Sequence, residues 1–495
     1  MEVLLVIGIA IVTFVTRVVN LLNIPIFTDE AIYIRWAQIG LADPAQRYIA
    51  LTDGKQPLLT WFMYPMFKFF HDPLFAGRFV SVLSGVVAVV GIYLVARMLF
   101  GKKAAVASSI LYIIAPFNLL YDRLALMDSL LATIGIWSLY FEILLVKKIR
   151  LDVALLLGMT VGLGLLTKSS ALFYILLLPF SLVLFDFKTK KKIRRLLKWV
   201  GLSLISTLIA EVMYNSLRLS PWFYLIKQKN YSFIYTVPEF LHSPFSVFLP
   251  NLHGLLQFLI PYMTVPVGVT LIVVFIFAII KKDNRLILLY FWFFVPFLAL
   301  AAFGKVLFPR FLLFMTMSLL VIVGYTLTVF GSFSFKKMKA FLIVIPIIVV
   351  FPFYQSFLLL TSPVNAAIPV TDRNQLFNNW PSGYGVNEVI TYLKDKSSYG
   401  KIVLGTEGTF GLFPAVFQIY LGNDKNIEIH GYWPVGNIPS LLLESAKKYP
   451  TYLVFKETQR VPSNWPLKLI GKYRRGNSDT FLLFYQVLIQ PGNNK

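Results

Sequence analysis

Residues 121–148 read YDRLALMDSLLATIGIWSLYFEILLVKK, and this stretch decides the class of the molecule. Its middle, 124–146, is predominantly apolar and about as long as the roughly 20 residues that carry a helix across a bilayer core. One end bears Asp122 and Arg123, the other Lys147 and Lys148. Asp128 stands about one helical turn inside the apolar run, where an ionisable group is costly and marks a candidate functional site.

Ten further stretches of the same kind flank it, at roughly 3–24, 76–100, 104–121, 151–167, 169–187, 196–217, 262–280, 286–303, 308–331 and 340–360. The reading is therefore a polytopic α-helical membrane protein of about eleven spans. The first stretch lacks a basic leader and a small-residue cleavage site, and is expected to be a retained span. Composition agrees: of 495 residues, 57% are hydrophobic and 14% charged, far from the balance of a soluble globule. The absence of cysteine excludes disulfides, Cys-ligated metals and thiol catalysis. A net charge of +23 reads as cation-loaded cytoplasmic loops rather than as a nucleic-acid surface.

Basic clusters at Lys102–Lys103, Lys147–Lys148–Arg150, 188–198, Lys281–Lys282–Arg285 and Lys336–Lys337–Lys339 all fall on one side of these spans, which the positive-inside rule makes cytoplasmic. The other side carries a long first loop at 25–75, short connections near 121–123 and 168, a second large loop at 218–261, and a turn near 304–309. Nine of the 14 carboxylates before residue 363 lie on or near that outer face, so function is expected there. Past residue 363 hydropathy drops. Strand-like runs at 401–404, 427–430, 452–455 and 481–487 alternate with helix-like stretches at 386–396 and 439–448, separated by turn signals that include Pro491–Gly492. That pattern reads as a small α/β domain, placed outside by eleven crossings. The expected division is 1–362, transmembrane, and 363–495, soluble and extracytoplasmic.

Several outer residues are candidates for chemistry. Asp29 and Glu30 open a helix at the mouth of the first span. Thr28 would serve as N-cap in a purely structural reading, and a general base or metal ligand is the functional one. Asp53, Lys55, Gln56 and Pro57 form a turn before an interfacial aromatic segment. Asp122 and Arg123 are either a surface pair or part of a polar site with Asp128. Lys168 and Arg310 are isolated cations on the acidic side; they either snorkel or hold an anion such as phosphate. His242 and His253 lie in the second loop without metal-ligand spacing, so a divalent metal, with Asp128 and His253 as candidate ligands, stays open. Neither a P-loop nor HExxH is present.

Five landmarks in order, Asp29–Glu30, Lys55–Gln56–Pro57–Leu58, Arg123–Asp128, Gly162–Lys168 and Pro309–Leu313, resemble the GT-C membrane glycosyltransferases of the protein O-mannosyltransferase and lipid A aminoarabinose transferase type. Aminoarabinose-type enzymes place a Glu–Lys pair before the loop proline, where this chain has Lys55–Gln56. The resemblance implies inverting transfer of a sugar from a polyprenyl-phosphate donor, within a membrane, to an extracytoplasmic protein, lipid or cell-envelope glycan. It implies Asp29 as base, Glu30 as its support, Lys168, Arg310 and Lys55 as holders of the donor phosphate, and Asp128, with Asp122, Arg123 and Asp53, as polar or acceptor contacts. The chemistry is coherent, because a phosphate ester is already an activated leaving group. What remains is to deprotonate a hydroxyl and neutralise phosphate charge at low dielectric. A transporter or flippase of lipid-linked sugars, or a non-catalytic binder of them, is the alternative. No internal repeat of the transporter kind occurs.

Overall fold

The computed structural model describes residues 1–331 and 338–489. Lys336, Lys337 and the Pro491–Gly492 turn lie outside the described residues. Contacts divide the chain into two compact units: 1–21, 44–62 and 78–369 form the first, and 22–43, 63–77 and 370–495 the second.

The first unit is helical. Each apolar stretch assigned to a span is helical in the structure, and the helices Pro73–Phe100, Met127–Lys148, Lys192–Leu219, Asn284–Phe303 and Pro309–Val329 are individually long and apolar enough to cross a membrane. Others are interrupted where the sequence says why. The stretch 104–121 breaks between Ile114 and Pro116, because proline cannot continue the hydrogen-bond ladder. Ser169–Leu184 is partly 3-10 helix around Pro179. The expected loop 218–261 is largely helical instead. Its helix Pro244–Met263 runs into Val265–Ile280 through a 110° bend, with Pro261 and a positive-φ Thr264 at the corner.

Small residues set the closest helix approaches, as lipid-embedded packing requires. A Cβ on Gly158 would lie 2.7 Å from the Ser206 carbonyl, and one on Gly324 would lie 2.2 Å from the Ser108 hydroxyl. Ser206 also donates to the Ala154 carbonyl at 2.8 Å, tying helix Leu151–Thr167 to Lys192–Asn215. Glu142 is fully buried on helix Met127–Lys148 and faces a small cavity lined also by Val161, Tyr174, Ser206 and Thr207.

The second unit is built on a five-stranded sheet of order β2-β1-β3-β5-β4, with β1 Ile402–Glu407, β2 Ile427–Tyr432, β3 Thr451–Phe455, β4 Leu467–Arg474 and β5 Phe481–Val487. β1 pairs in parallel with β2 and β3, while β5 is antiparallel to β3 and β4 to β5. β1 and β3 are buried along their whole length, as central parallel strands covered on both faces must be. Helices Val386–Ser397 and Ser440–Ala446 occupy the expected stretches. The edge strand β4 was not anticipated: half-exposed and bulged after Leu469, it lacks an apolar run. Helix Thr28–Ala42 belongs to this unit. Its Gln38 amide donates to the Ile419 carbonyl at 3.1 Å, and the Thr28 amide donates to the Pro381 carbonyl at 3.1 Å.

Candidate functional site

In the first unit the polar groups collect where several helices end. Asp128 lies in the first turn of Met127–Lys148, a position favoured for a carboxylate by the helix dipole. Lys168 follows the last residue of Leu151–Thr167, where a cation is favoured. The two meet, Nζ to Oδ1, at 2.6 Å, and Arg310 approaches the other Asp128 oxygen with its Nε at 4.0 Å. Phe311 lies 4.4 Å beneath the Lys168 ammonium, and Phe308 4.6 Å from the Arg310 guanidinium, so each cation is steadied on an aromatic face. Lys55 is close enough for its charge to act on Lys168. Two cations, Lys168 and Arg310, therefore flank one carboxylate, with Lys55 near Lys168.

The surrounding segments are stitched together. The Gln56 amide donates to the Ser169 hydroxyl at 2.8 Å, and Asp53 pairs with Lys229 at 2.7 Å. Gly54, at φ +66°, lies so close to Leu225 that a Cβ would be 2.5 Å from its carbonyl oxygen. The Lys305 amide donates to the Phe233 carbonyl at 2.8 Å, and the Phe233 and Phe311 rings meet edge-on with centroids 6.3 Å apart. First loop, second loop and the 304–312 turn thus hold one another around the cluster.

Asp122 and Arg123 do not pair with each other. Asp122, 2% exposed, accepts from Arg17 at 3.2 Å, Tyr112 at 2.7 Å and Ser129 at 2.6 Å. Arg123, fully buried, donates to the carbonyls of Arg17, Val19 and Asn20, capping the C-terminus of the helix Glu2–Val18. Arg78 adds a bond to the Leu21 carbonyl at 2.8 Å. Sequence reasoning passed over Arg17 and Arg78, though a cation inside or beside an apolar span is itself the signal that could have found them.

Asp29 and Glu30 lie in the second unit, in the first turn of Thr28–Ala42. The cap is not supplied by Thr28, whose amide and hydroxyl both donate to the Pro381 carbonyl at 3.1 Å. Phe27 is the N-cap residue, and the fully buried Glu30 accepts its amide proton at 3.0 Å, half of a capping box. Glu30 thereby fixes the turn on which the half-buried Asp29 is displayed.

Among the described residues no three His, Asp or Glu side chains converge; Asp128 faces cations, and His253 is paired with Gln257 at 2.9 Å. His242 ends the short helix Val237–His242.

The fold is that of the GT-C membrane proteins, with helices long and apolar enough to cross a membrane in one unit and a small sheet in the other. Residues 54–214, which contain Lys55, Asp122, Arg123, Asp128 and Lys168, match the profile of the dolichyl-phosphate-mannose-protein mannosyltransferase family. Among solved structures the chain is similar to ArnT from Cupriavidus metallidurans bound to undecaprenyl phosphate, at 14% identity and a TM-score of 0.57 over 99% of both chains. The apo state of the same protein matches at 13% identity and 0.56, again over 99% of each. It is also similar to the archaeal oligosaccharyltransferase AglB from Archaeoglobus fulgidus in complex with an inhibitory peptide and a dolichol-phosphate, at 14% identity and 0.54, over 91% of this chain and 68% of that one. No curated protein sequence matches.

Proposed function

We propose that this protein is an inverting glycosyltransferase that moves a sugar from a polyprenyl-phosphate donor to an acceptor hydroxyl outside the cytoplasm. The observation that carries the reading is the meeting of Lys168 and Arg310 on Asp128, with Lys55 near Lys168, lying largely within the segment that matches the mannosyltransferase family. The undecaprenyl phosphate and dolichol-phosphate named with the similar ArnT and AglB structures support a lipid phosphate as the anion. The basic loops support a plasma-membrane orientation with the sheet domain on the outer side.

In the proposed reaction the acceptor oxygen attacks the anomeric carbon while the bond from that carbon to the donor phosphate oxygen breaks. The phosphate leaves with the bonding electron pair, and the charge it gains is met by Lys168, Arg310 and Lys55. The hydroxyl proton goes to the Asp29 carboxylate, the base the family resemblance implies, with Glu30 holding its turn. Asp128 holds Lys168 and Arg310 in position. A transporter or flippase of lipid-linked sugars would need no base, which gives the test. Purified protein is given a radiolabelled polyprenyl-phosphate sugar and an envelope extract. Wild type transfers label, and Asp29→Asn loses transfer by about a hundredfold or more while retaining donor binding. Equal transfer by Asp29→Asn refutes the base assignment.

A further inference from the structure

The sheet of the second unit changes winding direction between β1 and β3. From β1 the chain passes to β2 on one side, then returns to β3 on the other. In open α/β sheets ligands bind beyond the carboxyl ends of the strands at such a point. Here the floor of that crevice is filled by the protein's own carboxylate. Glu407, 3% exposed at the end of β1, accepts the amides of Lys456 and Glu457 at 2.7 Å and of Thr458 at 3.1 Å, together with the Thr458 hydroxyl. These are the donors that would otherwise cradle a phosphate, so this crest is not a nucleotide site.

What faces outward is a rim of aromatic rings. Phe410 is 56% exposed, Trp433 54% and Trp380 38%. All three are firmly mounted. Lys456, itself 4% exposed, places its ammonium 4.1 Å from the Trp380 ring centre and 5.6 Å from that of Trp433, and is held by Glu457 at 3.1 Å. Phe410 leans on Trp36, a buried residue of helix Thr28–Ala42, with centroids 6.3 Å apart. Its loop is pinned at Gly408, whose amide donates to the Tyr432 carbonyl at 2.7 Å. The φ of +133° at Gly408 and +104° at Gly411 suit glycine. A Cβ on Gly411 would touch Thr28 at 3.6 Å, and Thr28 in turn is bonded to Pro381, next to Trp380. The rim therefore borders the helix turn that carries Asp29.

We propose that this rim is a saccharide-binding site, and that the acceptor of the transferase is a glycan whose rings lie on Trp433, Trp380 and Phe410. In the rim segments 379–384, 408–411, 431–437 and 456–459 these three are the only exposed large hydrophobic residues among those described. A membrane-contact face would mix them with aliphatic side chains, whereas flat, pre-set rings bordered by charged groups suit the C–H faces and hydroxyl edges of a sugar. Naming the acceptor rests on the transferase reading; the saccharide site does not.

The test is saturation-transfer NMR on the full-length protein in nanodiscs, with mannotetraose, chitotetraose and a Ser/Thr-containing peptide as probes. Both oligosaccharides receive saturation through their ring C–H protons and the peptide does not. Trp433→Ala weakens oligosaccharide binding about tenfold, while Trp433→Phe restores most of it and both variants melt as wild type does. Asp29→Asn loses transfer yet binds the sugars unchanged, so failure of the base assignment is distinguishable from failure of the site. Absence of saturation on either oligosaccharide, or equal saturation in Trp433→Ala, overturns the proposal. So does loss of binding by Trp433→Ala confined to vesicles of phosphatidylethanolamine and phosphatidylglycerol, which makes the rim a membrane contact.

Discussion

Asp122 and Asp128 are six residues apart in sequence and both are almost fully buried, yet their surroundings differ in kind. Asp122 is closed off: one fully buried guanidinium, Arg17, balances its charge, and the Tyr112 and Ser129 hydroxyls donate to it as well. Asp128 is outnumbered. Lys168 and Arg310 keep 21% and 11% of their side chains exposed, and Lys55 adds a third positive charge nearby. A neutral pair buried this deeply presents no charge to a ligand. Cations that keep an accessible edge can meet an anion from outside, and in the proposed reaction this contrast separates a group that holds the bundle together from one that meets the donor phosphate.

The largest effect expected from this contrast is on folding. Asp122→Ala leaves Arg17 charged and enclosed, and breaking a buried pair in this way costs about 3–5 kcal/mol. The variant should fall sharply in yield and thermal midpoint, read by dye-free thermal unfolding in detergent. Replacing both partners, Arg17→Met with Asp122→Leu, should recover most of that loss because no unpaired charge remains. If the single variant melts normally, Asp122 does not hold the bundle.

The second effect is on chemistry with the fold intact. Lys168→Met removes one cation from a cluster that still contains Arg310 and Lys55, so the thermal midpoint should move little. Loss of a charge-stabilising donor typically lowers kcat about a hundredfold to a thousandfold. The check is transfer rate against melting on one preparation. Unfolding of Lys168→Met would erase the distinction between the two carboxylates and place both in the scaffold.

The sequence made the Asp128 cluster legible through an ionisable residue one turn inside an apolar run, and through cations isolated at helix ends. What it could not show is that Lys168 and Arg310 converge on the same carboxylate, since 40 and 182 positions of chain lie between partners and only the packing closes them. The Asp122–Arg123 neighbourhood misled for the opposite reason. Adjacent opposite charges look like a pair, but successive residues point different ways, and Asp122 found Arg17 while Arg123 found carbonyls. In the sheet domain the buried strands were readable from their apolar runs, whereas β4 was hidden because an exposed edge strand has little burial to record. The Trp380–Lys456–Trp433 arrangement carries no local signature, as its members come from three separate segments.

A third carboxylate–cation pair sharpens the comparison at its weakest end. Glu239, largely solvent-exposed, caps the short helix Val237–His242. It accepts the Thr236 amide at 2.6 Å and the Thr236 hydroxyl at 2.8 Å, and it pairs with Lys305 at 3.0 Å. The Thr236 amide, the Lys305 ammonium and the Thr236 hydroxyl, in that order, pull its carboxyl down to about 2. Because the folded value lies below the ordinary carboxylate value, its contribution is full above about pH 4.5 and is lost as the pH falls toward 2. Solvent and salt weaken such an exposed pair, so the consequence is local rather than global. Amide exchange across 236–242, followed from pH 5 to 3 after correction for the intrinsic rate, should show protection falling in wild type. Glu239→Gln should be less protected throughout and nearly flat with pH. A wild-type profile that is equally flat would mean that the cap, not the charge, holds this loop.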